Sequence, residues 1–323
     1  MDAGDRQNNL IEGNSSAHPP TGEVQAPKRD QVYWFDDGNL IVVAGDVEFR
    51  IYQRPLVDQS VVFQNMFTQA APAADDQVDG CPAINLDDSP NDLRELFGLF
   101  YSFNVTKVDI TFVSAIIRLG NKYQLKGLCD QAIGYLTTYY TTSFDAWVDG
   151  RNAAQWQPDP VHAITAINLA RLTDTEAILP LAFYICATLG PDLVRGSLLE
   201  DGSTEQLTPE DMRLVLEMKV RLAAENAHTA FLLFQPRAPH SVASERALDG
   251  WVANADSLPV ISPTPMAGFP VIYILGRGYF ADRRLCKACW NHFEARDREL
   301  RRQVWGKLPE FLGLTIEGWD ATE

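Results

Sequence analysis

The chain is poor in basic residues and in cysteine. Lys and Arg total 27 of 323 residues against 43 Asp and Glu, which gives a formal charge of −16. Contacts to nucleic-acid phosphates need clustered Lys and Arg, and anionic membrane surfaces attract polybasic segments, so this balance argues against both kinds of partner. The five cysteines are odd in number and mostly isolated, which favours free thiols over a disulfide framework. We therefore expect a cytoplasmic or nuclear protein.

Long uninterrupted apolar runs are also missing. Residues 177–191 are uncharged but shorter than the ~20 residues that a membrane span needs. Residues 257–276 are long enough but contain four prolines, each of which removes a helical hydrogen-bond donor. Residues 1–30 contain no apolar signal segment. The sequence therefore predicts no membrane partner.

Motifs for catalysis and for cofactor binding are absent as well. There is no phosphate-binding Gly-Lys-Ser/Thr loop, no His-Glu-x-x-His and no Gly-x-Ser-x-Gly. The five histidines are scattered along the chain. The sequence thus predicts a protein that is not an enzyme, with no catalytic residue and no cofactor. A hydrolase whose nucleophile and base meet only in the folded chain stays as an alternative.

One cluster of potential metal ligands is present near the C-terminus. Cys286, Cys289 and His292 carry the side chains that zinc prefers, but a tetrahedral site needs four ligands and only three are close together. The spacing of Cys286 and Cys289 also fits two small apolar residues on one helix face. We predict no metal site, and keep a small Cys/His zinc protein as the alternative function.

A basic segment stands out in this acidic chain. Residues 277–307 are rich in Arg and Lys. One interpretation is docking to an acidic partner or to the acidic N-terminal half of the same chain. The interpretation that we favour is a solvated helix face, with Glu299 and Arg302 as an intrahelical pair.

Changes in composition divide the chain. Residues 1–31 are polar and rich in Gly, Asn, Ser and Pro, which predicts a disordered tail. Residues 32–147 mix strand and helix patterns and are predicted to form one α+β domain. A polar linker is expected at 148–160. Residues 161–323 read as a mainly helical domain, with a Pro-rich loop at 235–270.

The local patterns predict three strands and several helices. Leu40–Val43 and the alternating Val47–Ile51 form a hairpin around a glycine, and 83–86 is the third strand. Ser60 favours the N-cap of a helix. Apolar residues at steps of three or four between Phe112 and Leu136 predict a helical hairpin.

The C-terminal half has two clear helix signals. Residues 178–189 predict a fully buried helix that ends at Gly190-Pro191. The run Thr208-Pro209-Glu210-Asp211 is typical of a helix start, with an N-cap, proline in the first turn and acids at the positive end of the dipole. A last helix is expected at about 281–308.

Two motifs resemble those of the BTB (POZ) family. In the first, the matching residues are Phe49, Leu56, Ser60, Phe63, Met66 and Phe67. Tyr52 stands where the family usually has histidine. In the second, residues 119–129 read Leu-Gly-Asn-Lys-Tyr-Gln-Leu-Lys-Gly-Leu-Cys and are similar to the family's Ala-Asp-Lys-Tyr-x-Val-x-x-Leu junction. The resemblance covers residues 34–145 and is closest to fungal BTB proteins of basidiomycete type.

The resemblance implies a BTB fold, with a small three-stranded sheet and helical hairpins, and a non-enzymatic protein-binding function. The expected partners are proteins: a second copy of the chain, a cullin-3 ubiquitin ligase for which the chain is a substrate adaptor, or transcriptional regulators. The implied interaction residues are Phe49, Tyr52, Phe63, Met66, Phe67 and Tyr123. Residues 1–30 lack the apolar pattern of strand-exchanged dimers, and no acid follows Met66-Phe67 as in cullin adaptors, so the choice of partner stays open.

Overall fold

The chain folds as a small mixed sheet near the N-terminus followed by a mainly helical region. The structure is a computed structural model that describes residues 27–69, 77–101, 108–150, 158–199, 202–233 and 287–320. The predicted Pro-rich loop at 235–270 and most of the predicted linker lie outside these residues. Among the described residues, no helix combines the length and the apolar character needed to cross a bilayer.

The sheet has the strand order β1-β3-β2-β5-β4. Its strands are β1 (Lys28–Trp34), β2 (Leu40–Ala44), β3 (Val47–Ile51), β4 (Gln77–Val78) and β5 (Cys81–Leu86). The hairpin of β2 and β3 is antiparallel and turns at Gly45, whose φ of 56° favours glycine. β5 runs parallel to β2 and β1 runs parallel to β3. The sheet therefore has five strands, two more than the three that the sequence predicted.

Among the described residues, six α-helices accompany the sheet. They are α1 (Gln53–Gln59), α2 (Val61–Gln69), α3 (Pro90–Tyr101), α4 (Ile110–Lys122), α5 (Lys126–Tyr139) and α6 (Phe144–Gly150). α4 and α5 form the predicted helical hairpin. They approach closely because Gly120 has no side chain: a Cβ there would lie 2.9 Å from the Cβ of Cys129.

The C-terminal region contains six more described helices and a small hairpin. The helices are α7 (Ala163–Leu172), α8 (Leu179–Thr188), α9 (Asp192–Arg195), α10 (Pro209–Leu233), α11 (Lys287–Gly306) and α12 (Leu308–Phe311). The hairpin consists of β6 (Ser197–Leu198) and β7 (Thr204–Glu205). α8 is buried along nearly its whole length, as its sequence predicts. The Thr208 hydroxyl accepts a hydrogen bond from the Asp211 N–H (3.1 Å) and so caps α10.

One hydrophobic core runs through both regions. It extends from Tyr33 in the sheet to Leu308 in the last helix. Trp305 of α11 is fully buried, lies 6.0 Å from Phe144 and donates a hydrogen bond to the Thr142 carbonyl (3.2 Å). The boundary predicted at 148–160 stays a prediction, but packing crosses it.

β1 corrects the prediction that a disordered tail extends to residue 31. Its sequence is polar, so hydrophobic patterning did not identify it. Asp30 fixes the strand in place: its carboxylate accepts hydrogen bonds from the Tyr33 N–H (2.8 Å) and from Arg94 Nε of α3 (2.8 Å). Tyr33 is buried and packs edge-on against Phe97 (5.8 Å). A long-range ion pair therefore orders a segment with few apolar residues.

We predict that Asp30→Asn weakens the fold in a pH-dependent way. Burial raises the pKa of the Asp30 carboxyl, but hydrogen bonds from Tyr33, Arg94 and Val32 outweigh it and leave the pKa below its ordinary value. A lowered pKa means that the carboxylate stabilises the fold above pH ~4 and loses this effect as the pH falls through the folded-state pKa. At pH 7 we expect a loss of about 1.5–3 kcal/mol in the free energy of unfolding.

Urea unfolding at pH 7 and at steps down to pH 3 measures this effect. The difference between the parent chain and Asp30→Asn should shrink as the pH falls. Asp46→Asn is the control, because the Asp46 side chain is 73% exposed and lies 3.9 Å from Lys28 Nζ. Equal losses for the two variants, or a difference independent of pH, would contradict the anchoring role of Asp30.

Candidate interaction surface

A buried hydroxyl joins the start of α2 to the end of α4. Ser60 Oγ accepts a hydrogen bond from the Phe63 N–H (3.1 Å) and donates one to the Tyr123 carbonyl (2.6 Å). Ser60 is 1% exposed, so both bonds are shielded from water. The predicted N-cap is present, and it also fixes the position of α2 on the helical hairpin.

Aromatic stacking strengthens the same junction. The rings of Phe63 and Tyr123 stack at 4.3 Å, and Phe67 lies 6.2 Å from Phe63 on the same helix face. The Tyr123 hydroxyl donates a hydrogen bond to the Asp88 carboxylate, which also pairs with Lys122 Nζ (2.7 Å). Burial, together with this carboxylate, raises the pKa of Tyr123 well above its usual range, so the hydroxyl keeps its proton.

The six predicted interaction residues fall into two groups. Phe49, Phe63 and Tyr123 are at most 2% exposed and are core residues in this conformation. Tyr52, Met66 and Phe67 are partly exposed. The structure brings Phe63, Phe67 and Tyr123 together, whereas Phe49 packs on Phe97 beneath the sheet. A partner can reach only the second group without unfolding the chain.

Tyr52 belongs to an aromatic patch formed by Phe35, Tyr52 and Tyr101, all partly exposed. Phe35 and Tyr52 stack at 5.1 Å, and Tyr101 packs edge-on against Phe35 (5.6 Å). The Tyr101 hydroxyl donates to the Tyr52 carbonyl (2.7 Å), and the Tyr52 hydroxyl donates to Asp37 (2.5 Å). The bond to Asp37 raises the pKa of Tyr52. The three residues come from separate elements, so no sequence spacing identified Phe35 or Tyr101.

Met66 belongs to an apolar surface on α2. This α2 face consists of Val61, Val62 and Met66, with Phe67 at its inner edge. Val61 is 57% exposed, and the other residues pack partly on the core. Apolar side chains held on a rigid helix are suited to contact a protein partner, because little conformational entropy is lost on binding.

A polar cavity of about 230 Å³ lies between the two regions of the chain. Its lining residues are Ser89, Asn91, Asp92, Thr111, Ser114, Arg118, Leu199 and Glu205. Arg118 donates to Asp92 (3.0 Å) and to Ser114 (3.2 Å), and it lies 3.6 Å from Glu205 of β7. The guanidinium is therefore part of a bridge between α3, α4 and the C-terminal hairpin.

A histidine and a serine meet at the start of α7. His162 Nδ1 lies 3.0 Å from Ser197 Oγ, which also accepts a hydrogen bond from Thr165 (3.3 Å). Burial lowers the pKa of His162, which favours the neutral ring. Ser197 is fully buried and is not part of the cavity lining. A nucleophile must reach its substrate, so the contact favours a structural role over the hydrolase alternative.

Two arginines of the basic segment bind acids of the same chain, which agrees with the docking interpretation and not with the solvated face that we favoured. Arg298 pairs with Asp145 (2.6 Å) and Asp149 (2.6 Å), and Arg302 pairs with Asp145 (2.5 Å) and Asp320 (3.0 Å). These bonds hold the pKa values of Asp145 and Asp149 below the usual range. The predicted pairing of Arg302 with Glu299 is wrong. Arg302 pairs instead with Asp145 of α6 and with Asp320 near the C-terminus.

The metal candidates are only partly described. Cys286 lies outside the described residues, Cys289 lies in α11, and His292 is exposed on the same helix. Within the described ranges, no three His, Cys, Asp or Glu side chains are grouped to hold a metal ion. The zinc alternative therefore stays a prediction.

Comparison with protein-family models and with curated proteins gives no match for this chain.

We predict that Ser60→Ala destabilises the chain by about 2–4 kcal/mol. The variant loses the cap of α2, worth ~1 kcal/mol, and leaves the buried Tyr123 carbonyl without its donor, which costs about 1–3 kcal/mol. Thr68→Ala, which removes an exposed hydroxyl from the same helix, should change stability by less than about 0.5 kcal/mol. Chemical denaturation followed by circular dichroism measures both. Similar small effects for the two variants would show that the Ser60 hydrogen bonds contribute little to the free energy of unfolding.

Proposed function

We propose that the chain is a non-enzymatic, BTB-type protein-interaction module. Its element order supports the proposal: a hairpin, the α1–α2 turn, a strand parallel to the hairpin, then α3 and the α4–α5 pair. Both motifs that carry the resemblance meet at one point, because Ser60 and Phe63 of the first motif contact Tyr123 of the second. This contact, between residues 60 positions apart or more, is the observation that carries the proposal.

The proposed binding surface consists of the α2 face and the aromatic patch. The motif residues Phe63 and Tyr123 hold α2 in place from below, and Val61, Met66 and Tyr52 face outward beside them. Affinity comes from removing apolar area from water, at about 25 cal/mol per Å² before the costs of association. The expected partner is a protein that presents an apolar helix or loop.

A substrate adaptor for a cullin-3 ubiquitin ligase is the first form of this function to test, and a scaffold in transcriptional regulation is the second. In both forms the chain works in the cytoplasm or the nucleus and binds neither nucleic acid nor membrane. In the adaptor form, the C-terminal helical region is the proposed substrate receptor. Its charge supports protein rather than nucleic-acid partners, because Arg298 and Arg302 are paired within the chain.

We predict that the full chain co-elutes with the N-terminal domain of cullin-3 in size exclusion with light scattering. Met66→Glu should weaken the complex at least tenfold, because burying an unpaired charge at an apolar contact costs more than ~1.4 kcal/mol. Leu198→Glu is the control, because Leu198 is 68% exposed on β6, outside the proposed surface. Fluorescence anisotropy with labelled cullin domain measures both dissociation constants.

Two outcomes would contradict the proposal in different ways. Separate peaks at about 50 μM of each protein, well above the micromolar range in which weak adaptors bind, would rule out the adaptor and leave the scaffold. A complex that Leu198→Glu disrupts and Met66→Glu does not would place the contact on the C-terminal region instead of α2.

A further inference from the structure

α10 is apolar on two opposite sides. One side packs on α8 and α11 through Val215, Met218, Leu222 and Leu233, all buried. On the other side Leu216, Val220 and Phe231 are 53%, 71% and 66% exposed. A second apolar side on a surface helix is a candidate contact surface, because exposed apolar area is unfavourable in water. The outer side of α10 is therefore a candidate interface.

The exposed residues form a continuous stripe along the helix. At about 100° per residue they fall within a sector of roughly 100°. The outer stripe consists of Leu216, Val220, Ala223, Ala224, Ala227 and Phe231. Its spacing of three and four residues is that of helices that pack lengthwise against another helix.

The outer stripe is symmetric about its middle. Leu216 and Phe231 lie equally far from the midpoint between Ala223 and Ala224, and so do Val220 and Ala227. Two antiparallel copies related by a twofold axis would therefore place Leu216 against Phe231 and Val220 against Ala227. The alanines at the centre allow the helix axes to approach to about 8 Å. Such self-complementarity is what a twofold interface requires.

We propose that the outer stripe of α10 is a self-association surface, occupied by α10 of a second copy in antiparallel orientation. The flanking polar residues are compatible with this pairing. Glu217 and His228 are exposed on the same flank of the stripe, one on each side of the midpoint, so the twofold axis brings Glu217 of one copy towards His228 of the other. Within one copy Glu217 pairs with Arg213. The stripe is only about 24 Å long, at 1.5 Å per residue, so the dimer is of micromolar affinity and not obligate.

This inference does not depend on the proposed function. It involves α10, whereas the proposed partner surface lies on α2 and the aromatic patch. A failure of cullin binding leaves the α10 pairing intact, and the reverse also holds, because Met66→Glu and the α10 variants below change different surfaces.

Light scattering of the full chain across a range of concentrations tests for the pairing. We expect the mass to approach twice that of one chain at about 100 μM, above a micromolar dissociation constant. Val220→Glu should return it to that of one chain. Val194→Glu is the matched control, because Val194 is also a 71% exposed valine but lies on α9. A single-chain mass at every concentration, or a dimer that Val220→Glu does not disrupt, overturns the proposal. Coverage of the stripe by residues 234–286 of the same chain would give that single-chain mass.

Disulfide trapping tests the orientation. In a background with Cys286→Ser and Cys289→Ser, Ala223→Cys should cross-link to its own counterpart under mild oxidation, because the two positions flank the twofold axis. Leu216→Cys should not cross-link to itself, since the two copies lie about 22 Å apart along the helices. Mixing Leu216→Cys with Phe231→Cys should restore a cross-link. Self-cross-linking of Leu216→Cys would indicate parallel helices and overturn the antiparallel pairing.

Discussion

The structure depends on the burial of α4 on every side. The residues from Phe112 to Ile117 are all buried, which a single apolar stripe cannot produce. α4 packs against α3 and α5, which belong to the N-terminal region of the chain, and against α7, which belongs to the C-terminal region. Its last turn ends at Tyr123, whose carbonyl accepts a hydrogen bond from the Ser60 hydroxyl. One central helix therefore positions α2, the neighbouring helices α3 and α5, and α7 of the C-terminal region.

Local patterns predicted much of this fold. The alternation in Val47–Ile51, the Ser60 cap, the helical hairpin and the uniformly apolar α8 all depend on neighbouring residues, and the structure confirms them. β1 was not predicted, because its order comes from an ion pair between Asp30 and Arg94, 64 residues away. The true partners of Arg302 were missed for the same reason: Asp145 is 157 residues distant.

The candidate site also combines residues that the sequence identified with residues that only the folded chain brings together. The resemblance pointed to six residues, and three of them, Phe49, Phe63 and Tyr123, are in the core. These three residues pack between elements of the chain, so in this conformation they belong to the core and not to a contact surface. Phe35 and Tyr101, which are partly exposed, come from a loop and a helix end that meet only in the folded chain. No spacing rule could have joined them.

The sheet and the C-terminal helices share one core, so we expect them to open together. Hydrogen exchange of the full chain, followed by mass spectrometry in increasing urea, measures the opening free energy of β2, α4 and α8 separately. We predict that the slowest amides of all three elements have the same opening free energy and the same dependence on urea. Amides of α8 that open at a lower free energy, while β2 and α4 stay protected, would contradict the claim and show that the helical region folds as a separate unit.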